Sequence, residues 1–237
     1  MTVPIHEQFE DIKSDYPDLV LIEAHNGSYV RGRLSFTAKY QDKGSISDSY
    51  VIEIFIPSSG TPPTAKEIGG RIPKDFHKNP KDGTLCLAAR VEVKRKFSAK
   101  PNLRGFIETL LVPYLYTYSY KEKHQDLPYG DLPHGEEGVL QYYKSFFNTD
   151  SDLVVLELLK LIVENNYRGE SFCPCKSGKK LMKCHGEKIK DLKSHQGRRE
   201  FLFEFMEVLK ACENLGQEIP DQLFTKKLKR YATKKLK

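Results

Sequence analysis

The stretch His77-Lys78-Asn79-Pro80-Lys81-Asp82-Gly83-Thr84-Leu85-Cys86-Leu87-Ala88-Ala89 decides how the first part of this 237-residue chain is read. Pro80, Asp82 and Gly83 are turn formers that let a backbone reverse and visit positive φ. Leu85 and Leu87 flank Cys86 and anchor it against a core, while the turn leaves it at a loop edge. A lone mid-chain cysteine is ordinarily a small buried hydrophobe. Its neighbours read instead as a platform that presents it.

Upstream, Ile5, Phe9, Ile12 and Tyr16 recur at three-and-four spacing, which predicts an amphipathic helix ended at Pro17. Residues Leu19–Ala24 predict a strand, and His25-Asn26-Gly27-Ser28 a turn whose Asn-Gly pair signals a hairpin. Tyr29–Phe36 and Tyr50–Ile56 predict two more strands around the polar segment Gln41–Ser49. Thr61-Pro62-Pro63 stiffens the chain into an extended form. A fourth strand within Thr64–Ile72 belongs at an edge, because two glycines and weak alternation do not suit a central strand. A helix followed by an antiparallel meander is an α+β layout with the helix on one sheet face.

Downstream, Arg90–Lys96 alternates and is polar, which predicts an extended segment. Pro101-Asn102 opens a helix through Leu103, Phe106, Ile107, Leu110 and Leu111, and Pro113 ends or kinks it. Tyr114, Tyr116, Tyr118 and Tyr120 follow, as a packing surface or as a stacking platform for nucleobases. Gln125–Gly138 is dense in proline and glycine, and Val139-Leu140-Gln141-Tyr142-Tyr143 opens another helix.

Strand Tyr50–Pro57, the pair Pro62-Pro63, His77 with Asn79, and Gly83-Thr84-Leu85-Cys86-Leu87 stand in an order that resembles the ubiquitin-conjugating enzyme family. The resemblance covers roughly Met1 to Tyr143 and is nearest the bacterial branches. In eukaryotic members the histidine stands one residue further from the cysteine and is followed by proline, where this chain has Lys78. The resemblance implies a ubiquitin-conjugating-like domain over residues 1–148: N-terminal helix, four-stranded antiparallel meander, active-site loop, C-terminal helices. It implies that Cys86 is a nucleophile that accepts the C-terminus of a ubiquitin-like protein as a thioester and passes it to an amine. Asn79, or a backbone N–H near Gly83–Leu85, would stabilise the oxyanion, and His77 would brace the loop. Segment Asp131–Tyr143 looks like the region after the active site in bacterial members, which makes His134 and Asp131 candidate acid/base or supporting groups, or else residues that only cap the loop. The implied partners are an activating enzyme with a ubiquitin-like protein or a cGAS-like nucleotidyltransferase, in an antiviral (antiphage) defence operon.

A second signal lies in Phe172-Cys173-Pro174-Cys175-Lys176-Ser177-Gly178-Lys179-Lys180-Leu181-Met182-Lys183-Cys184-His185-Gly186. Three cysteines and a histidine this close supply the four donors that tetrahedral zinc takes, and Ser177-Gly178 permits the reversal that joins the two pairs. The segment resembles the SEC-C zinc motif, which implies Cys173, Cys175, Cys184 and His185 as ligands of a structural zinc. Four protein ligands leave no open position for water, so the metal replaces a core that so short a segment does not build. It sits in a helical extension, residues 149–237, with helices expected at Leu153–Asn166, N-capped from Thr149-Asp150-Ser151-Asp152, and at Arg198–Leu215, whose face with Phe205 and Val208 takes Cys212 into a core.

Charge separates the two parts. Ser171–Lys237 holds 17 Lys+Arg against 8 Asp+Glu, or +9, which leaves −3 of the total +6 for the remainder. The basic third is either a solvated surface or the contact for an acidic partner such as nucleic acid. No apolar run is long enough to span a membrane. Met1–Glu7 lacks the basic start and apolar centre of a signal peptide, so a reducing cytoplasm is expected and the cysteines read as thiols or metal ligands. The rival to an enzyme is a non-catalytic adaptor of the same fold whose basic knuckle contacts nucleic acid, ribosome or chaperone.

Overall fold

Strands β1 (Leu19–Ala24), β2 (Gly27–Ala38), β3 (Ile46–Pro57) and β4 (Thr64–Glu67) form one antiparallel sheet in sequence order. This computed structural model describes residues 3–128 and 135–235. Alternation sets the faces: Val30, Leu34 and Phe36 of β2 and Ile46, Tyr50, Ile52 and Ile54 of β3 are buried, with Arg31 and Glu53 paired on the opposite face. Helix α1 (Ile5–Lys13) adds Phe9 and Ile12 to the same core. The first hairpin is tighter than Asn26-Gly27 suggests. Ala24 pairs with Gly27, so His25-Asn26 alone make the loop. Gly27 is instead a close-approach glycine, since a Cβ there would stand 2.3 Å from the Ile56 carbonyl oxygen of β3.

One element departs from expectation, and at Pro113, expected to end or kink its helix, the chain takes the second course. Arg90–Lys96, expected to be extended, lies in helix α2 (Arg90–Ala99), where Arg95 and Lys96 reach back to Glu92 at helical spacing. Only Val91 of α2 is fully buried, so ion pairs and propensity outweigh a two-residue alternation that has no apolar face to place. Pro113 does not end its helix. Asn102 caps α3 (Leu103–Phe106) by accepting from the Gly105 N–H at 2.7 Å, a π-turn spans Ile107–Leu111, and α4 (Val112–His124) continues. A π-turn just before the proline shifts the hydrogen-bond register where an N–H is missing. Tyr114, Tyr116, Tyr118 and Tyr120 are all buried on α4, which makes them packing residues.

The chain divides into two compact units, Met1–Asp131 and Leu132–Lys237. Helix α5 (Gly135–Phe147) lies in the second unit. Its buried Leu140, Tyr143 and Phe147 form a stripe at i, i+3 and i+7, and the Tyr143 hydroxyl bonds Glu204 of α8 (Arg198–Asn214). Helix α6 (Asp152–Val163), capped by Ser151, packs on α8, and Cys212 is buried there. Helices α7 (Gly186–His195) and α9 (Lys226–Lys235) were not legible beforehand. No helix among the described residues is long and apolar enough to cross a membrane.

Candidate active-site loop and metal centre

The loop that carries Cys86 is a miniature hairpin docked on the edge of the sheet. Cys86 N–H donates to the His77 carbonyl at 2.7 Å, Lys78 and Leu85 form an antiparallel bridge, and Asn79 N–H donates to the Thr84 carbonyl at 2.8 Å. Its tip closes with Gly83 N–H on the Asn79 carbonyl at 2.9 Å, Gly83 taking φ 72°. Asp82 accepts from both the N–H and the hydroxyl of Thr84, and those bonds hold its carboxyl below the ordinary range. The hairpin joins the sheet through Leu85 N–H, which donates to the Ala65 carbonyl of β4 at 2.8 Å. Leu85 is buried and Cys86, next to it, is exposed. Period-two alternation thus delivers the sulfur to solvent as a consequence of burying the leucine.

Beneath the loop an aromatic and ionic base fixes its entry. The Phe76 ring meets His77, Tyr114 and Tyr118 at centroid distances of 4.9, 5.8 and 4.8 Å. The Tyr114 hydroxyl donates to the Phe76 carbonyl at 2.9 Å. Burial first, then the nearby Cys86 and Glu67, push its phenol well up, so it stays a donor. Lys78, where the resembled family has proline, extends inward. Its Nζ donates to the Ile72 carbonyl at 2.6 Å and lies 3.6 Å from Glu67 Oε2 of β4, whose side chain is 1% exposed. Arg71 clamps the approach, chelating Asp48 at 2.7 and 2.8 Å and pairing with Glu122 of α4.

Of the candidates in this unit, the hairpin brings His77, Asn79 and Cys86 together through the backbone. His77 is half-buried at φ 39°, a left-handed conformation for which histidine is one of the more tolerant residues. The Asn79 amide donates to Thr84 Oγ1 at 2.7 Å, so at least one of its N–H groups braces the loop. Asp131 and His134 lie outside the described residues. Tyr114, Lys78 and Glu67 were missed as loop supports. For Tyr114 the i, i+4 pairing with Tyr118 was the available signal, whereas nothing local marks Lys78 and Glu67 as partners.

In the second unit, Cys173, Cys175, Cys184 and His185 bring one donor atom each to within 4.8 Å of the others. Cys175 Sγ is 3.4 Å from Cys184 Sγ, and His185 Nδ1 is 3.1 Å from Cys173 Sγ and 3.3 Å from Cys184 Sγ. His185 Nε2 stands 2.8 Å from the Phe147 carbonyl and donates to it, which leaves the Nδ1 lone pair facing the sulfurs. Lys176 at φ 58° and Gly178 at φ 73° make the reversal, and Cys173 N–H closes it on the Lys179 carbonyl at 2.9 Å. Burial pushes the Cys173 thiol up. At Cys175 burial acts in the same direction but is outweighed by bonds from Ser177, and the net shift is down. A metal about 2.3 Å from each sulfur needs donors this close, of this softness, with the imidazole orientation fixed from behind. The residues fit a metal ion.

Comparison of the chain with protein-family models, curated proteins and solved structures gave no match. The geometry of these two sites therefore carries the functional argument alone.

Proposed function

We propose that the first unit is a ubiquitin-conjugating-like acyl carrier and that Cys86 is its nucleophile. The observation that carries this reading is an exposed cysteine on a rigid hairpin tied by hydrogen bonds to a sheet edge. In loading, the Cys86 thiolate attacks the thioester of an activating enzyme, the new C–S bond forms and the activating enzyme's thiolate leaves. In transfer, an amine attacks the same carbonyl, the amide forms, Cys86 leaves as thiolate and the amine proton passes to solvent or a nearby base. The N–H groups of Gly83, Thr84, Leu85 and Cys86 are already bonded within the loop and to β4, so the second N–H of the Asn79 amide is the donor offered to the tetrahedral oxyanion. His77, Lys78 and Tyr114 position the loop. The acyl donor is a ubiquitin-like protein or a nucleotidyltransferase tail, and the setting a cytoplasmic antiphage system. In the second unit the four ligands hold structural zinc, which would supply a crosslink and no reaction step.

Intact-mass analysis after reaction with an activating enzyme and modifier tests the assignment. Wild type should carry a thiol-labile adduct, Cys86→Lys a stable one, and Cys86→Ala none. Equal adduct on wild type and Cys86→Ala removes Cys86 from the mechanism. A peptide thioester of a small thiol gives a second readout that needs no partner, with transfer to Cys86 expected and abolished by Cys86→Ala.

A further inference from the structure

The knuckle displays an aromatic ring where stability alone would hide one. Phe172, beside the first ligand, is 70% exposed, the most exposed large hydrophobic residue among those described. It is held rigidly: Cys173 N–H bonds the Lys179 carbonyl, Leu181 N–H the Ser171 carbonyl at 2.8 Å, and Phe172 pairs with Lys180 across an antiparallel bridge. The ammonium of Lys180 stands 4.3 Å from the ring centroid. The same ring lines a cleft of about 260 Å³ with Leu161, Asn166, Arg168 and Ser171. Asn166 and Ser171 bring an amide and a hydroxyl to this lining, and neither side chain forms a hydrogen bond among the described residues.

Basic groups extend away from this cleft in two directions. Lys176, Lys179, Lys180 and Lys183 are exposed on the knuckle itself. Leu161 of the cleft lies in the last turn of α6 and Asn166 in the segment just after it, and the same helix end anchors α9. Arg198 donates to the Val163 carbonyl at 3.0 and 2.7 Å and stacks 4.3 Å from Tyr231 of α9, while Thr225 bonds Glu164. Two cationic elements therefore meet at one helix end, next to a ring and a polar-edged cleft.

We infer that this face binds single-stranded RNA, with one base stacked on Phe172 at the cleft and the flanking phosphates running over the knuckle lysines and toward α9. An exposed ring on a stiff backbone is the unit that stacks unpaired bases, and lysines around it neutralise the phosphates on either side. A duplex keeps its base faces covered and cannot use Phe172. An acidic peptide would use the lysines and ignore the ring. The free hydroxyl and amide of Ser171 and Asn166 suit a ribose 2′-hydroxyl, which selects RNA over DNA. The inference does not depend on Cys86 or on acyl transfer.

Fluorescence anisotropy on the full-length, zinc-loaded protein tests it, with a short labelled oligouridylate, the matching oligothymidylate and an RNA duplex of equal length over a salt series. The oligouridylate should bind most tightly, with log affinity falling linearly in log salt. Phe172→Ala should weaken its binding about 5- to 100-fold while leaving the salt slope and zinc content unchanged, and Phe172→Tyr should restore it. The double substitution Lys179→Gln with Lys183→Gln should flatten the slope and weaken single strand and duplex alike. Duplex or oligothymidylate binding as tight as oligouridylate, or full affinity in Phe172→Ala, overturns the proposal. So does displacement of the oligouridylate by polyglutamate at equal charge concentration.

Discussion

The Cys86 hairpin and the cysteine–histidine knuckle solve the same geometric problem with different materials. In each, a non-glycine residue takes positive φ, His77 at 39° and Lys176 at 58°, and a glycine near φ 72° follows. In each, backbone N–H to carbonyl bonds close the turn. Under the first lies a core: Phe76, Leu85, Tyr114 and the buried Glu67 with its half-buried partner Lys78. Under the second the buried residues of 172–186 are Cys173, Leu181, His185 and Gly186, two of which belong to the cluster that fits a metal ion. A loop that rests on a core does not need its cysteine to hold it together, and Cys86 stands exposed at its rim. One whose cysteines replace the core has none to spare.

Removing the metal should expose that contrast most strongly. The apparent binding free energy of a structural zinc is about 10–16 kcal/mol, and much of it is folding free energy. Chelation, or Cys184→Ser, should abolish stoichiometric zinc and accelerate hydrogen exchange at Cys173 and Leu181, whose N–H groups close the knuckle. Exchange at Leu85 and Cys86 should not change. Protection retained at Cys173 after complete metal removal would show that packing holds the knuckle, and the two loops would then be alike.

The corresponding cut in the hairpin is Lys78→Met. It leaves the Glu67 carboxylate buried without its cation, and breaking one partner of a buried pair costs about 3–5 kcal/mol. Adding Glu67→Gln removes the stranded charge and should recover much of that loss. Denaturant unfolding of the two variants measures both effects. Near-equal instability of single and double variants would mean that Lys78 acts through its bond to the Ile72 carbonyl instead.

What could be read beforehand follows the range of the interaction. The sheet order, the edge placement of β4, the capped helix after Ser151 and the cysteine–histidine cluster were legible because hydrophobic period, cap chemistry and ligand spacing are local. Helix α2 misled because its alternation is polar, and a polar period of two names no face to bury. The Lys78–Glu67 pair was invisible for a different reason: one end is a loop and the other a strand, and no repeat links them. Phe172 stands beside a ligand motif in the sequence, yet its exposure is set by the Phe172–Lys180 bridge, which no local pattern marks.

The smallest expected effect is one of pH, and it separates the two loops by mechanism. Asp48 is partly buried, which by itself would raise its pKa. Bonds from Arg71 and Ser119 more than offset this and hold the carboxyl below its ordinary range. A group whose folded pKa is depressed stabilises the fold above the unfolded value, about 3.9, and loses that contribution as pH falls through the folded pKa. Wild type should therefore exceed Asp48→Asn in stability by about 1 kcal/mol near neutrality, and the gap should close in acid below roughly pH 4. With zinc in the knuckle, it too should fail in acid, but because protons compete with the metal for thiolate and imidazole. Its midpoint should move to lower pH as zinc concentration rises, whereas the Asp48-dependent step should stay where it is. A zinc-dependent shift in the Asp48 step would couple the loop that rests on a core to the one that rests on a metal, and the distinction between them would fail.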